Sequence, residues 1–203
     1  VVEGLSEDSQ YRKLKEWLSC PDPSVNLNEA LERHLEGTGS WFLESDPFKE
    51  WEYRTRQHLW LHGIPGCGKT MLSATIIKHL NKELNVSHIV LYFFFDFSNT
   101  AKQSLNKLVR SLAAQLYSRC ETSRKDLDKL FLFCDGGAKQ PTFKSLCTTL
   151  LQMIKYTARI YIVIDALDEC DTRLDLLLWL ESFASSGVAG LQLLITSSQR
   201  RRD

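Results

Sequence analysis

A chain of 203 residues with 43% hydrophobic side chains has enough apolar material for a buried core without covalent staples, which excludes disordered and fibrous classes. Its 25 basic and 25 acidic side chains cancel, so no net field draws it to nucleic acid or to anionic lipid. The longest apolar run, at 89–95, is far short of the roughly 18 residues of a membrane span, and the six cysteines scatter without a CxxC pair, which fits a reducing, cytoplasmic setting better than a zinc or disulfide framework.

In chain order, the first helical spacing runs from about residue 7 to 18 on Leu14, Trp17 and Leu18. Pro21 and Pro23 interrupt it, and a second helical pattern follows at 27–35. The turn Glu36-Gly37-Thr38-Gly39-Ser40 leads into an aromatic stretch of Trp41, Phe42, Phe48 and Trp51. Residues 1–36 read as a helical entry segment and 37–203 as one domain. From His58 onward, strand-like runs at 58–62, 88–95, 160–164 and 191–196 alternate with helical patterns. One helix is carried by Leu105, Leu108, Val109, Leu112 and Leu116, another by Phe143, Leu146, Leu150, Met153 and Ile154. Apolar residues without alternation at 89–95 and 160–164 suit strands buried on both faces. This order predicts an α/β fold with a parallel sheet and covering helices. The chain opens on Val1 and closes shortly after its fourth strand-like run, so it reads as cut from a longer protein.

Between the first strand and a helical pattern on Leu72, Ile76 and Leu80 lies GIPGCGKT at 63–70, a full match to GxxxxGK[ST] in the context that motif requires. Glycine at Gly63, Gly66 and Gly68 is expected to take positive φ and turn backbone N–H groups toward a polyanion. Lys69 offers a point charge for β- and γ-phosphates, Thr70 an oxygen for Mg2+, and the helix N-terminus its dipole. The candidate nucleotide-binding positions are Gly63, Pro65, Gly66, Cys67, Gly68, Lys69, Thr70 and Met71.

The strand at 160–164 runs into Asp165-Ala166-Leu167-Asp168-Glu169. A carboxylate at the tip of a buried strand suits a metal ligand, so Asp165 is expected to reach Mg2+ through water. Ala166 is small enough to allow close approach of the nucleotide. Glu169, with Asp168 as the alternative, could orient and deprotonate an attacking water. The bland reading of this segment is a solvated acidic turn. Ser197 and Ser198 end the last strand, where they could sense a γ-phosphate or serve as ordinary polar termini. Arg200, Arg201 and Arg202 could lend charge to a transition state or simply be solvated. The segment 37–41 could line a base or ribose pocket or form a packing turn, and Cys67 could gate binding by its redox state.

The motifs HGIPGCGKT, IDALDEC, LQLLITSS and EGTGSWFLESDPFKEW together resemble the NACHT class of STAND signalling NTPases, in particular fungal proteins with a nephrocystin-like N-terminal domain. The resemblance covers about residues 36–203 and implies a three-layer P-loop NTPase fold of the additional-strand (ASCE) type. It implies Mg2+-dependent binding of ATP or GTP with slow, regulatory hydrolysis. It further implies a conformational and self-association switch between an effector domain and C-terminal ankyrin, WD40 or TPR repeats, acting in heterokaryon incompatibility or innate-type recognition. By the same resemblance Gly68, Lys69 and Thr70 match Walker A, Asp165 matches the Walker B metal ligand, and Asp168 with Glu169 matches the acidic pair beyond it. One position departs: the family ends its fourth strand in TSR, and here the residues are Thr196, Ser197 and Ser198. The sensor arginine is therefore missing unless Arg200 or Arg201 substitutes, which weakens the expectation of hydrolysis and leaves that of binding. In that topology the strand at 58–62 is an uncovered edge. The rival readings are a nucleotide-binding scaffold without turnover and a P-loop small-molecule kinase, for which no arginine-bearing lid is visible. A nucleic-acid motor stands further off, for want of a basic and aromatic strip.

Overall fold

The computed structural model describes residues 2–33, 35, 37–53, 58–82 and 88–198. Four helices come first: α1 (Val2–Leu18), α2 (Ser24–Glu32), α3 (Ser40–Leu43) and α4 (Asp46–Glu52). An alternation follows: β1 (His58–Gly63), α5 (Lys69–Lys82), β2 (Ile89–Phe94), α6 (Leu105–Arg119), α7 (Glu121–Phe133), α8 (Phe143–Ile154), β3 (Ile160–Asp165), α9 (Arg173–Ala184) and β4 (Leu191–Ser198). The strands form one parallel sheet in the order β1-β4-β3-β2. The fold is α/β, as the alternation of strands and helices predicts.

Side chains leave a strand on alternate faces, so β2, β3 and β4 each feed two cores, while β1 feeds one through Leu59. Leu91, Phe93, Ile160, Ile162, Ile164, Leu193 and Ile195 face α1, α6, α7, α8 and α9. Leu59, Val90, Tyr92, Phe94, Tyr161, Val163 and Leu194 face α2, α4 and α5. Every residue of β3 is buried, whereas β1 buries only Leu59 and leaves His58, Trp60 and His62 exposed, as an edge strand does. Full burial of a large apolar side chain such as Phe48 or Ile76 contributes about 2–3 kcal/mol, and most of the cohesion comes from these two layers.

The entry segment is packed into both layers. Leu14, Trp17 and Leu18 of α1 lie in the first core, and Leu27 and Ala30 of α2 in the second. The Trp17 indole donates to the Lys139 carbonyl at 2.7 Å, and Arg110 donates to the Leu18 carbonyl at 3.0 Å. α2 lies three residues earlier at each end than the spacing read from the sequence, and ahead of it the Asp22 carboxylate accepts from both the Ser24 amide (2.9 Å) and the Ser24 hydroxyl (2.7 Å). In the aromatic stretch, Ser45 caps α4, Phe48 and Trp51 are fully buried, and the Trp51 indole donates to the Leu193 carbonyl at 3.0 Å.

Four helices, α3, α4, α7 and α9, are not marked by the spacing read from the sequence, the first two being short and lying within the aromatic stretch. α7 buries Leu127, Leu130 and Phe131, an i, i+3, i+4 set that was available in the sequence. α9 buries Leu176, Leu180 and Phe183 yet also carries the exposed Leu174 and Leu178, so apolar residues on all sides blur its period.

Candidate functional site

Because the strands are parallel and in register, Gly63, Phe94, Asp165 and Ser198 end at one edge of the sheet. The chain leaves β1 at Gly63 and enters α5 at Lys69 through the Gly-rich loop. Gly66 (φ 77°) and Gly68 (φ 91°) adopt the left-handed backbone that a side chain would strain. Gly63 differs from expectation: it continues the strand and is not among the positive-φ glycines. A side chain is disfavoured there for another reason, since a Cβ would stand 2.9 Å from the Cys67 sulfur and the thiol would have to move. Pro65, Gly66, Cys67, Gly68 and Thr70 are exposed, and Met71 is half-buried. The Lys69 ammonium curls back to donate to the carbonyls of Gly63 (3.1 Å) and Ile64 (3.0 Å), with the Cys67 sulfur at 3.8 Å.

Asp165 closes β3 with only 2% of its surface exposed. A carboxylate so placed needs donors, because burying an unpaired charge costs several kcal/mol. The Thr70 hydroxyl donates to Oδ2 at 2.7 Å, joining the Gly-rich loop to the strand tip. The hydroxyls of Ser73 and Thr196 donate to Oδ1, each at 2.6 Å.

After Asp165 the chain turns sharply. Ala166 sits at φ 56°, a left-handed conformation costly for a residue with a Cβ, and its amide donates to Thr196 Oγ1 at 3.0 Å. The two acidic residues that follow are used differently. Asp168 Oδ1 accepts the Ser198 amide at 2.6 Å, and its carbonyl accepts the Arg173 guanidinium, so Asp168 fastens the end of β4 to the start of α9. Glu169 Oε2 accepts the Phe97 amide at 2.9 Å. Burial pushes the Glu169 carboxyl above its ordinary value; the Phe97 amide opposes this, and the carboxylates of Asp168, Asp96 and Asp165 add to it.

A cavity of about 480 Å³ opens beside the loop, walled by Thr38, Trp41, Trp60, Lys69, Met71 and Leu72. Its volume falls in the range of small-molecule sites, and Trp41 and Trp60 are 71% and 51% exposed, so their indoles are open to a ligand. The 37–41 turn serves packing as well: Gly39, at φ 83°, lies so close to α5 that a Cβ would meet Leu72 at 3.1 Å. The Ser197 Oγ accepts the Trp60 indole N–H at 2.9 Å, which ties the end of β4 to β1. Ser198 contributes its amide, to Asp168. Arg200, Arg201, Arg202 and Glu36 lie outside the described residues.

Three participants are missed by the sequence reading: Ser73, Phe97 and Thr196, whose hydroxyl reaches Asp165 from β4. Ser73 stands one helical turn after Thr70 on the same face, a spacing of three that could have suggested it. Phe97 acts through its amide, which no side-chain pattern reports.

Residues 37–198 match the family described as Nephrocystin 3, N-terminal. Vegetative incompatibility protein HET-E-1 of Podospora anserina is 31% identical over 175 residues, 80% of this chain. The chain spans 12% of that relative's length. Among solved structures, the cytoplasmic domain of the Thermomonospora curvata Type VII secretion ATPase EccC aligns over 72% of this chain and 16% of that one, at 17% identity and a TM-score of 0.37.

Proposed function

Because the chain belongs to the nephrocystin 3 N-terminal family, within the NACHT-type STAND group that its motifs resemble, we propose that it binds ATP or GTP with Mg2+ and hydrolyses it slowly, as a regulatory switch. The observation that carries this reading is the 2.7 Å bond between Thr70 and Asp165. It joins the phosphate-loop hydroxyl to the strand-tip carboxylate at the edge where both belong in a P-loop enzyme. The strand order β1-β4-β3-β2, with β4 between the loop strand and the Asp165 strand, supports the three-layer additional-strand class. We assign the nucleotide domain to 37–203 and the helical entry to 1–36.

In this reading the amides around Gly66 and Gly68 cradle the phosphates, with Gly63 and Pro65 shaping the loop. Lys69 exchanges its two loop carbonyls for β- and γ-phosphate oxygens. The hydroxyl of Thr70 and the carboxylate of Asp165 are hard oxygen donors that suit Mg2+. When bound, the metal supplies charge neutralisation at the phosphates. Glu169 stands as the base that takes a proton from the attacking water, with Asp168 as the alternative. Met71, Trp41 and Trp60 wall the cavity that would hold the base and ribose. The position of Ser198 in place of an arginine leaves less positive charge for the transition state, which accounts for slow turnover.

No helix among the described residues is long and apolar enough to cross a membrane. We place the switch in the cytoplasm, within a longer chain carrying an effector domain and ankyrin, WD40 or TPR repeats. It would self-associate when triphosphate is bound, in a process of the vegetative-incompatibility or innate-immunity type.

Titration with fluorescent ATP and GTP analogues, with and without Mg2+, together with phosphate release, tests the proposal. The expected result is Mg2+-dependent triphosphate binding and slow hydrolysis without an acceptor. Absence of binding to either nucleotide overturns it. Binding without any phosphate release would mark a scaffold, and transfer that needs an added acceptor would mark a small-molecule kinase.

A further inference from the structure

The Asp165 carboxylate is held asymmetrically. Oδ1 takes two hydroxyl protons, from Ser73 on α5 and from Thr196 on β4, each at 2.6 Å. Both of those residues are completely buried, at 0% exposure. Oδ2 takes one, from the exposed Thr70 at the mouth of the loop. A hydroxyl has a single proton to give. Thr196 spends its proton on Asp165, and its oxygen accepts the Ala166 amide at 3.0 Å, so the direction of its bond is fixed by the turn that follows.

Two fixed donors from two different elements pin Oδ1 inward. The carboxylate then has one rotational setting, with Oδ2 facing the phosphate loop. Without them it could turn about its Cβ–Cγ bond and offer either oxygen. Donors behind a metal ligand orient it and tune its basicity, and their loss costs 10- to 100-fold in metal affinity in characterised sites.

We infer that Ser73 and Thr196 are positioning residues for the metal ligand: together they aim Asp165 Oδ2 at the Mg2+ that accompanies the nucleotide. The inference rests on the proposed reading of Asp165 as the Mg2+ ligand. It adds that the buried hydroxyls set the cation affinity while leaving the phosphate grip of the loop alone.

The test follows binding of a fluorescent triphosphate by this chain as free Mg2+ is raised, and its binding in EDTA, for the wild type and for Ser73→Ala, Thr196→Val and Thr196→Ser. Ser73→Ala and Thr196→Val are expected to raise the half-saturating Mg2+ by about tenfold or more. Thr196→Ser keeps the hydroxyl and should stay near wild type. Affinity in EDTA should be alike in all four. Melting temperatures of the same samples separate folding from positioning, and if Ser73→Ala fails to fold, the Thr196 pair decides alone. A Mg2+ midpoint unmoved by loss of either hydroxyl overturns the inference and leaves the nucleotide reading standing. So does a weakening equal in EDTA and in Mg2+, which a structural role alone produces. A wild-type chain that binds triphosphate equally well with and without Mg2+ removes the reading of Asp165 and this inference together.

Discussion

The Phe97 amide donates to Glu169 Oε2 at 2.9 Å, across 72 positions of sequence. The loop that follows β2 thus holds the carboxylate that follows β3. Gln103 braces the same loop twice: its side chain donates to the Phe97 carbonyl, and its own carbonyl accepts the Asp171 amide at 2.7 Å. Glu169 is therefore fixed from a neighbouring strand and not only by its own turn.

This fixation shapes the pH dependence. Burial raises the Glu169 carboxyl above its ordinary 4.5, and three nearby carboxylates raise it further against the Phe97 bond. A base works in its ionised form, so hydrolysis should fall as pH drops through this raised value. The acid limb of the turnover-pH profile should lie above 4.5 in the wild type. A limb at or below the ordinary carboxylate value would contradict the assignment.

Glu169→Gln should keep triphosphate binding and lower turnover by about 100-fold or more, the usual contribution of a general base. Ionising a carboxyl whose folded pKa is raised costs the fold stability; that group's favourable contribution is complete below its unfolded pKa and is lost as pH rises through the folded one. At neutral pH the glutamine variant should therefore melt no lower than wild type. Phosphate release, nucleotide titration and thermal melting check the three statements.

Lys69→Ala should abolish triphosphate binding, because the ammonium that now rests on the Gly63 and Ile64 carbonyls is the charge available to the phosphates. Equal affinity in variant and wild type, measured with a fluorescent nucleotide, would falsify the loop assignment.

Gly63→Ala places a methyl 2.9 Å from the Cys67 sulfur and should weaken nucleotide binding several-fold by displacing the loop. Cys67→Ala alone should be nearly silent, and the double variant should recover most of the loss. The cycle should show a coupling of about 1 kcal/mol; simple additivity of the two changes would mean that the thiol is not what excludes a side chain.

Gly190→Ala should destabilise without touching the site. Gly190 sits at φ 79°, and a Cβ there would run into the Ala158 carbonyl backbone. Strain of this kind costs about 1–3 kcal/mol before the clash is counted. The melting temperature should fall by about 5 °C or more, with nucleotide affinity unchanged in the folded fraction.

Much of this was legible in one dimension because the signals are contiguous. The runs that became β2 and β3 are apolar throughout, the Gly-rich loop is eight adjacent residues, and Asp165 directly follows its strand. Even so, the reason for Gly63 was misread, since the sulfur that excludes a side chain there comes from the next turn of the loop. α9 escaped because its leucines cover every face.

The sequence by itself determined the alternation of strand and helix, the phosphate-loop match and the acid at the strand tip, all of them properties of neighbours along the chain. Only the tertiary structure decided that β4 lies between β1 and β3, and with it every bond made across the sheet edge. Thr196 reaches Asp165 from 31 positions away, Ser73 from 92, and Asp168 binds the Ser198 amide from 30. The physical reason is that a hydroxyl or an amide has short reach and no periodic signature. Its partner is set by which strands the crossover helices bring side by side, and that choice is made by the packing of two cores rather than by local pattern.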